Sequence, residues 1–119
     1  MYCMHMIDSG RFEELRAIMG QDFAILIDQA VLDMQAPLAT LARVCAGGAE
    51  QGEIGFALHT LYGIASNIGC TEICAHCTEG RKALDAGQFD ASVAQVIMAE
   101  IEACRATLVC AVTDPAQKG

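Results

Sequence analysis

Among the three histidines of this 119-residue chain, His59 sits within the stretch FALHTLYGIASNIG, residues 56–69. Neutral imidazole is a nucleophile near pH 7, and its adduct can pass a phosphoryl group onward. Transfer between two folded proteins needs the ring exposed and its surroundings bare, so that the partner's reacting atom can come close. On a helix advancing about 100° per residue, with His59 set at zero, Ile54, Ala57, Leu58, Leu61, Ile64, Ala65 and Ile68 fall in an arc of roughly 120° opposite it. The spacing therefore turns His59 to solvent. The same face carries Gly52, Gly55, Gly63 and Ser66, with Phe56, Tyr62 and Asn67 at its margins. Each glycine costs helix stability, about 1 kcal/mol relative to Ala, and none is needed for a core there. Open surface is what they supply, and Phe56 adds an apolar contact at its rim. The plain alternative is a solvated histidine without a task.

Other residues with chemical potential are weaker candidates. Cys70, Cys74 and Cys77 share one side of a helix and His76 is near in sequence, but a zinc site wants four converging ligands and its paired cysteines usually sit in turns. His76 projects about 100° away from Cys77 on a continuous helix, and the cysteine stripe also holds Ile73 and Leu84. This reads as core, and no metal is expected. His5, between Met4 and Met6, belongs to an N-terminal arm that is unstructured or packs as a lid. The carboxylates are scattered, without the spaced pair of an acid and a base, and no order of Ser, His and Asp points to hydrolysis.

The elements that must position His59 follow from apolar periodicity. DSGRFEELRAIMG reads as a short first helix, capped by Asp8 or Ser9 and ended by Gly20. A long second helix carries Phe23, Leu26, Ile27, Ala30, Val31, Met34, Leu38, Leu41 and Cys45 on its stripe, with Gly47 and Gly48 at its end. Pro37 removes a backbone donor and predicts a kink or break near Gln35. The third helix runs from about Gly52 to Ile68 and stops at Gly69; the fourth runs from Cys70 or Thr71 to Leu84. Asp90 caps a fifth, with Val93, Ile97, Ile101, Cys104 and Leu108 inward. The expected fold is all-α: an antiparallel four-helix bundle with a short extra N-terminal helix, one domain over 1–119, with an arm at 1–8 and a tail at 113–119.

Composition excludes several classes. Acidic residues number 15 against 7 basic, a net charge of −8, and no cluster of Lys and Arg offers the footprint that nucleic acid or an anionic membrane requires. No run spans a bilayer, and the start lacks the basic and apolar regions of a signal peptide. Seven cysteines without such a signal are expected as thiols in a reducing, cytoplasmic setting.

The segment HTLYGIASNIG resembles the signature of histidine-containing phosphotransfer (HPt) domains: an acceptor histidine, a small polar residue, a leucine, a lysine, a glycine, a run of small residues and a closing glycine. His59, Thr60, Leu61, Gly63, Ala65, Asn67 and Gly69 fit that pattern, and the order of an acidic first helix, a proline-containing second helix and a motif on the third agrees with it. The resemblance implies a phosphocarrier that takes a phosphoryl group on His59 from an aspartate of one receiver domain and gives it to another. Its partners would be the receiver domain of a hybrid sensor kinase or a response regulator. The protein would bind no cofactor, the Mg²⁺ coming with the receiver, would lack kinase activity of its own, and would be a monomer.

One departure bears on this. The lysine of the family pattern is Tyr62 here, and the third helix has no Lys or Arg. A phenol donates a hydrogen bond but carries no positive charge, which leaves three expectations open: slower transfer, a less stabilised phosphohistidine, or a cation from another helix, such as Arg43 or Arg81, in its place. Ile64 also departs from a small polar residue, and its projection places it toward the core. A loss of transfer altogether would leave an HPt-like module that docks on a kinase or receiver and regulates it without carrying phosphate.

Overall fold

The computed structural model describes residues 9–113. The expected arm at 1–8, with His5 and the Asp8 cap, lies outside them, as does the tail from 114 on. Six α-helices account for nearly all of the described chain: α1 (Ser9–Met19), α2 (Phe23–Asp33), α3 (Gln35–Cys45), α4 (Gln51–Ile68), α5 (Thr71–Asp85) and α6 (Ala91–Thr113). No strand occurs among the described residues. Thr113, assigned from sequence to the tail, still belongs to α6.

The single long second helix is two. α2 and α3 meet at Met34, one residue before the expected break. The N–H of Met34 still reaches Ala30 O at 3.1 Å and that of Leu38 reaches Met34 O at 3.0 Å. What is missing lies between these bonds, where Pro37 has no N–H to donate. The inward side continues across the break through Phe23, Ile27, Ala30, Met34, Pro37 and Leu41. Cys45, expected on this stripe, is instead exposed. The alternating steps of four and three residues lead from Leu41 to Val44, which packs against the core in its place.

The same alternation recurs in the other long helices. α4 buries Ile54, Leu58, Leu61, Ala65 and Ile68; α5, together with the residue before it, buries Cys70, Ile73, Cys77, Gly80 and Leu84; α6 buries Ala94, Ile97, Ile101, Cys104 and Leu108. Steps of three and four keep one apolar seam on one side of a helix, and each seam needs neighbours to cover it. α4 packs against α3 and α5, and α6 against α5 and α3; α2 touches α3, α4 and α6. No polar or charged side chain is buried among the described residues.

α1 closes over α2 and α4. Phe12 meets Phe23 edge to face at 5.0 Å between ring centroids, and the Arg16 guanidinium lies 5.4 and 5.5 Å from the two rings. Such contacts fix the angle of a short helix that would not hold alone.

Helix ends follow local chemistry. The Glu50 N–H donates to Glu53 Oε1 at 3.0 Å at the start of α4. At its end Gly69 adopts φ 81°, a left-handed conformation that glycine accepts without a Cβ clash, and the next N–H, of Cys70, returns to Ala65 O at 2.8 Å. Asp90 caps α6 as expected: its Oδ1 accepts from the Val93 N–H at 3.2 Å and from Ser92 Oγ at 2.6 Å, which holds its carboxyl below the usual range.

Candidate functional site

His59 lies midway along α4 and is exposed, as the helical projection requires. Its own helix provides the setting. Leu58 and Leu61, one residue before and two after, are buried and anchor the turn that presents it. Gly52 and Gly63 stand in open space: a Cβ added at either would meet nothing within 4 Å. Ser66 and Asn67 are exposed, and Gly52 and Ser66 are each seven residues from His59, so the strip extends about 21 Å at 1.5 Å per residue. Its margins are apolar and prominent, Phe56 being 73% exposed and Tyr62 47%.

Gly55 differs from the other two glycines. It is half-buried, and a Cβ there would stand 3.5 Å from Leu84 Cδ2 and 3.8 Å from Arg81 Nη1, both on α5. Both are ordinary contact distances, so the guanidinium lies beside α4 one turn before His59 whether or not a Cβ stands at Gly55. Two open grooves meet at the imidazole. One continues past Tyr62 toward Thr78 and Lys82, the other past Gly55 and Phe56 toward Gln51, and Arg81 borders both.

Of the two cations proposed to replace the absent lysine, the structure brings one to the site. Arg81 is 57% exposed at its side chain and pairs through Nε with Asp85 Oδ1 at 3.4 Å; Asp85 borders both grooves too, so an incoming anion meets the guanidinium beside a carboxylate. Arg43 joins α3 to α4 instead, through a 2.8 Å ion pair with Glu53 that holds the glutamate's carboxyl below its ordinary range. Lys82, which the sequence reading did not single out, also borders a groove at His59 and pairs with Glu79 at 3.1 Å. Its signal was weak: a surface lysine in the last turn of α5 has no mark in the sequence that distinguishes it from a solvated one. Asn67 contributes backbone at the far end, where its carbonyl accepts from Arg11 Nη2 at 3.4 Å.

The described cysteines divide by burial. Cys70, Cys77 and Cys104 are buried, Cys74 is intermediate, and Cys45 and Cys110 are exposed, all as thiols. Cys70 and Cys104 share a hydrogen bond, with their sulfurs 2.8 Å apart. That bond and burial push the Cys70 thiol far up, and burial with the nearby Cys74 pushes Cys77 up to about 12. Thiols held neutral in this way are poor nucleophiles and poor metal ligands. His76 does not join them; its Nε2 lies 3.5 Å from Glu100 Oε1 across the seam between α5 and α6.

An exposed imidazole with cleared surface along its helix and a guanidinium alongside can accept a small anionic group from a large partner. The open grooves, by contrast, do not enclose a small substrate. No protein-family model, curated protein or solved structure matches the chain.

Proposed function

We propose that this chain is a histidine phosphotransfer protein in which His59 carries a phosphoryl group between aspartates of receiver domains. The observation that carries the reading is the exposed His59 on a strip of α4 bare at Gly52 and Gly63, with Arg81 beside it from α5. The Nε2 lone pair would attack the phosphorus of a receiver's aspartyl phosphate. The N–P bond forms as the P–O bond to the aspartate breaks, and the carboxylate leaves with the electron pair. In the reverse step a second aspartate attacks and the imidazole leaves neutral. Arg81 would offset the charge of the phosphoryl oxygens during both steps, a role guanidinium suits through its fixed fork of donors.

The helix contacts support an antiparallel four-helix bundle built from α2–α3, α4, α5 and α6, with α1 as the short extra helix. Each long helix touches two neighbours in a closed ring, and seams of three-and-four spacing suit shallow crossing angles. Among the described residues no helix is long and apolar enough to cross a membrane; the proposed carrier would act in the cytoplasm. The Mg²⁺ would belong to the receiver, and the carrier would act as a monomer.

A phosphorylated receiver domain mixed with the chain tests the reading. Acid-labile label should appear on the wild type and not on His59→Gln, with a known HPt protein as positive control. No label under conditions that label the control rejects the carrier role. The exposed Phe56 and Tyr62 favour a second reading, a docking module that regulates a kinase or receiver without taking phosphate. That reading predicts binding of the receiver without label, and binding unchanged in His59→Gln.

A further inference from the structure

On the seam between α5 and α6, Glu72, His76 and Glu100 bring three donor atoms within 4.8 Å of one another. Glu72 and His76 are four residues apart, hence one above the other on the same face of α5. Glu100 approaches from α6. All three are half-buried, with the His76 side chain 32% exposed and that of Glu100 18%. One oxygen of Glu100, Oε2, is fully buried and has no hydrogen-bond partner, while Oε1 faces His76 Nε2 at 3.5 Å. A buried carboxylate oxygen without a donor is unfavourable unless a cation balances it. A protonated His76 reaches only the other oxygen, and at a distance beyond a good hydrogen bond.

We propose that Glu72, His76 and Glu100 bind one divalent transition-metal ion of the zinc class. Tetrahedral ligands about 2.1 Å from zinc stand about 3.4 Å apart, close to the 3.5 Å between His76 and Glu100. The Glu72 carboxylate lies within 4.8 Å of both other donors. The donors set the metal's class: imidazole suits zinc, cobalt and nickel, whereas calcium and magnesium prefer oxygen alone. Three protein ligands leave the fourth position to water. The donor cluster itself contains no thiol, being two carboxylates and one imidazole. The ion would tie α5 to α6, away from the α4 strip that presents His59, so the proposal is independent of the phosphotransfer reading.

Cobalt(II) is the probe for the test, because its visible spectrum separates nitrogen and oxygen ligands from thiolates. Equilibrium dialysis of the untagged full chain should give one Co²⁺ per molecule, with weak visible bands and without the intense thiolate-to-cobalt charge-transfer band. Zn²⁺ should displace it and raise the thermal midpoint. His76→Gln and Glu100→Gln, each checked for native helix content by circular dichroism, should weaken binding by more than about a hundredfold, since even the loss of an outer-shell partner costs up to that. His76 ring signals followed by NMR should shift on adding Zn²⁺ at constant pH. Absence of stoichiometric binding, binding unchanged in both variants, or a thiolate band would each overturn the site and leave His76 and Glu100 as a simple ion pair.

Discussion

Arg81 lies against the bare backbone of Gly55, its Nη1 3.8 Å from where a Cβ would stand, and so reaches the side of His59 from a neighbouring helix. The positive charge absent from α4 is thereby available from α5. Arg81→Ala should slow phosphoryl transfer to the chain about ten- to a hundredfold, since a hydrogen bond to a charged group contributes about 1.5–3 kcal/mol, and should leave the thermal midpoint nearly unchanged because the side chain is largely exposed. Adding Tyr62→Lys to that variant should restore much of the rate. Rapid-quench measurement of labelled protein decides it: an unchanged rate in Arg81→Ala would remove the residue from the site.

Gly63 separates stability from docking. A Cβ there meets nothing within 4 Å, so Gly63→Ala should stabilise the fold by up to about 1 kcal/mol through helix propensity. Gly63→Leu should fold well yet impair transfer and receiver binding. Urea unfolding and receiver titration, run on the same two variants, provide the comparison; loss of stability in Gly63→Ala would contradict the open surface.

Gly80 should respond in the opposite sense. A Cβ there would stand 2.9 Å from Ile97 Cδ1, 3.3 Å from Phe89 Cε2 and 3.4 Å from Leu58 Cδ2. Ile97 is 1% exposed, leaving its end little room to turn away. Overpacking costs about 1–3 kcal/mol and should outweigh the propensity gain of about 1 kcal/mol, so Gly80→Ala should be net destabilising by about 1 kcal/mol in urea unfolding. Gly80→Val should lose more.

The thiols predict an alkaline weakness. Folding raises Cys77 from its ordinary 9.0 to about 12, chiefly by burial. Above pH 9 the unfolded chain releases this proton while the folded one keeps it, so the stabilisation is complete below that pH and is lost as pH rises toward 12. Cys77→Ala should flatten the fall in urea midpoint between pH 9 and 10.5. At pH 8, iodoacetamide followed by peptide mass spectrometry should label Cys45 and Cys110 rapidly, and Cys70, Cys77 and Cys104 only on unfolding.

Much of this molecule was written in its residue order. The exposure of His59 follows from 3.6-residue periodicity, because Leu58, Leu61 and Ala65 can be hidden together only by turning the histidine outward. Gly69 and Asp90 mark helix ends through chemistry confined to a few neighbouring residues, and so does Pro37, whose expected break at Gln35 falls one residue from the observed one at Met34. Cys45 shows where apolar character alone misleads: the alternating steps of four and three residues pass the inward side from Leu41 to Val44, which packs against the core while Cys45 is exposed.

The decisive contacts at both sites join residues far apart in the chain. Gly55 could be recognised as bare, but not as the place where Arg81 rests. Glu72 and His76 carry the spacing of two ligands on one helix face, while Glu100 joins them only because α6 packs against α5. Periodicity along one helix is set by its own backbone geometry and can be read from residue types. Which charged side chains face one another across two helices depends on how those helices pack, and that is decided by the buried surfaces of the whole fold.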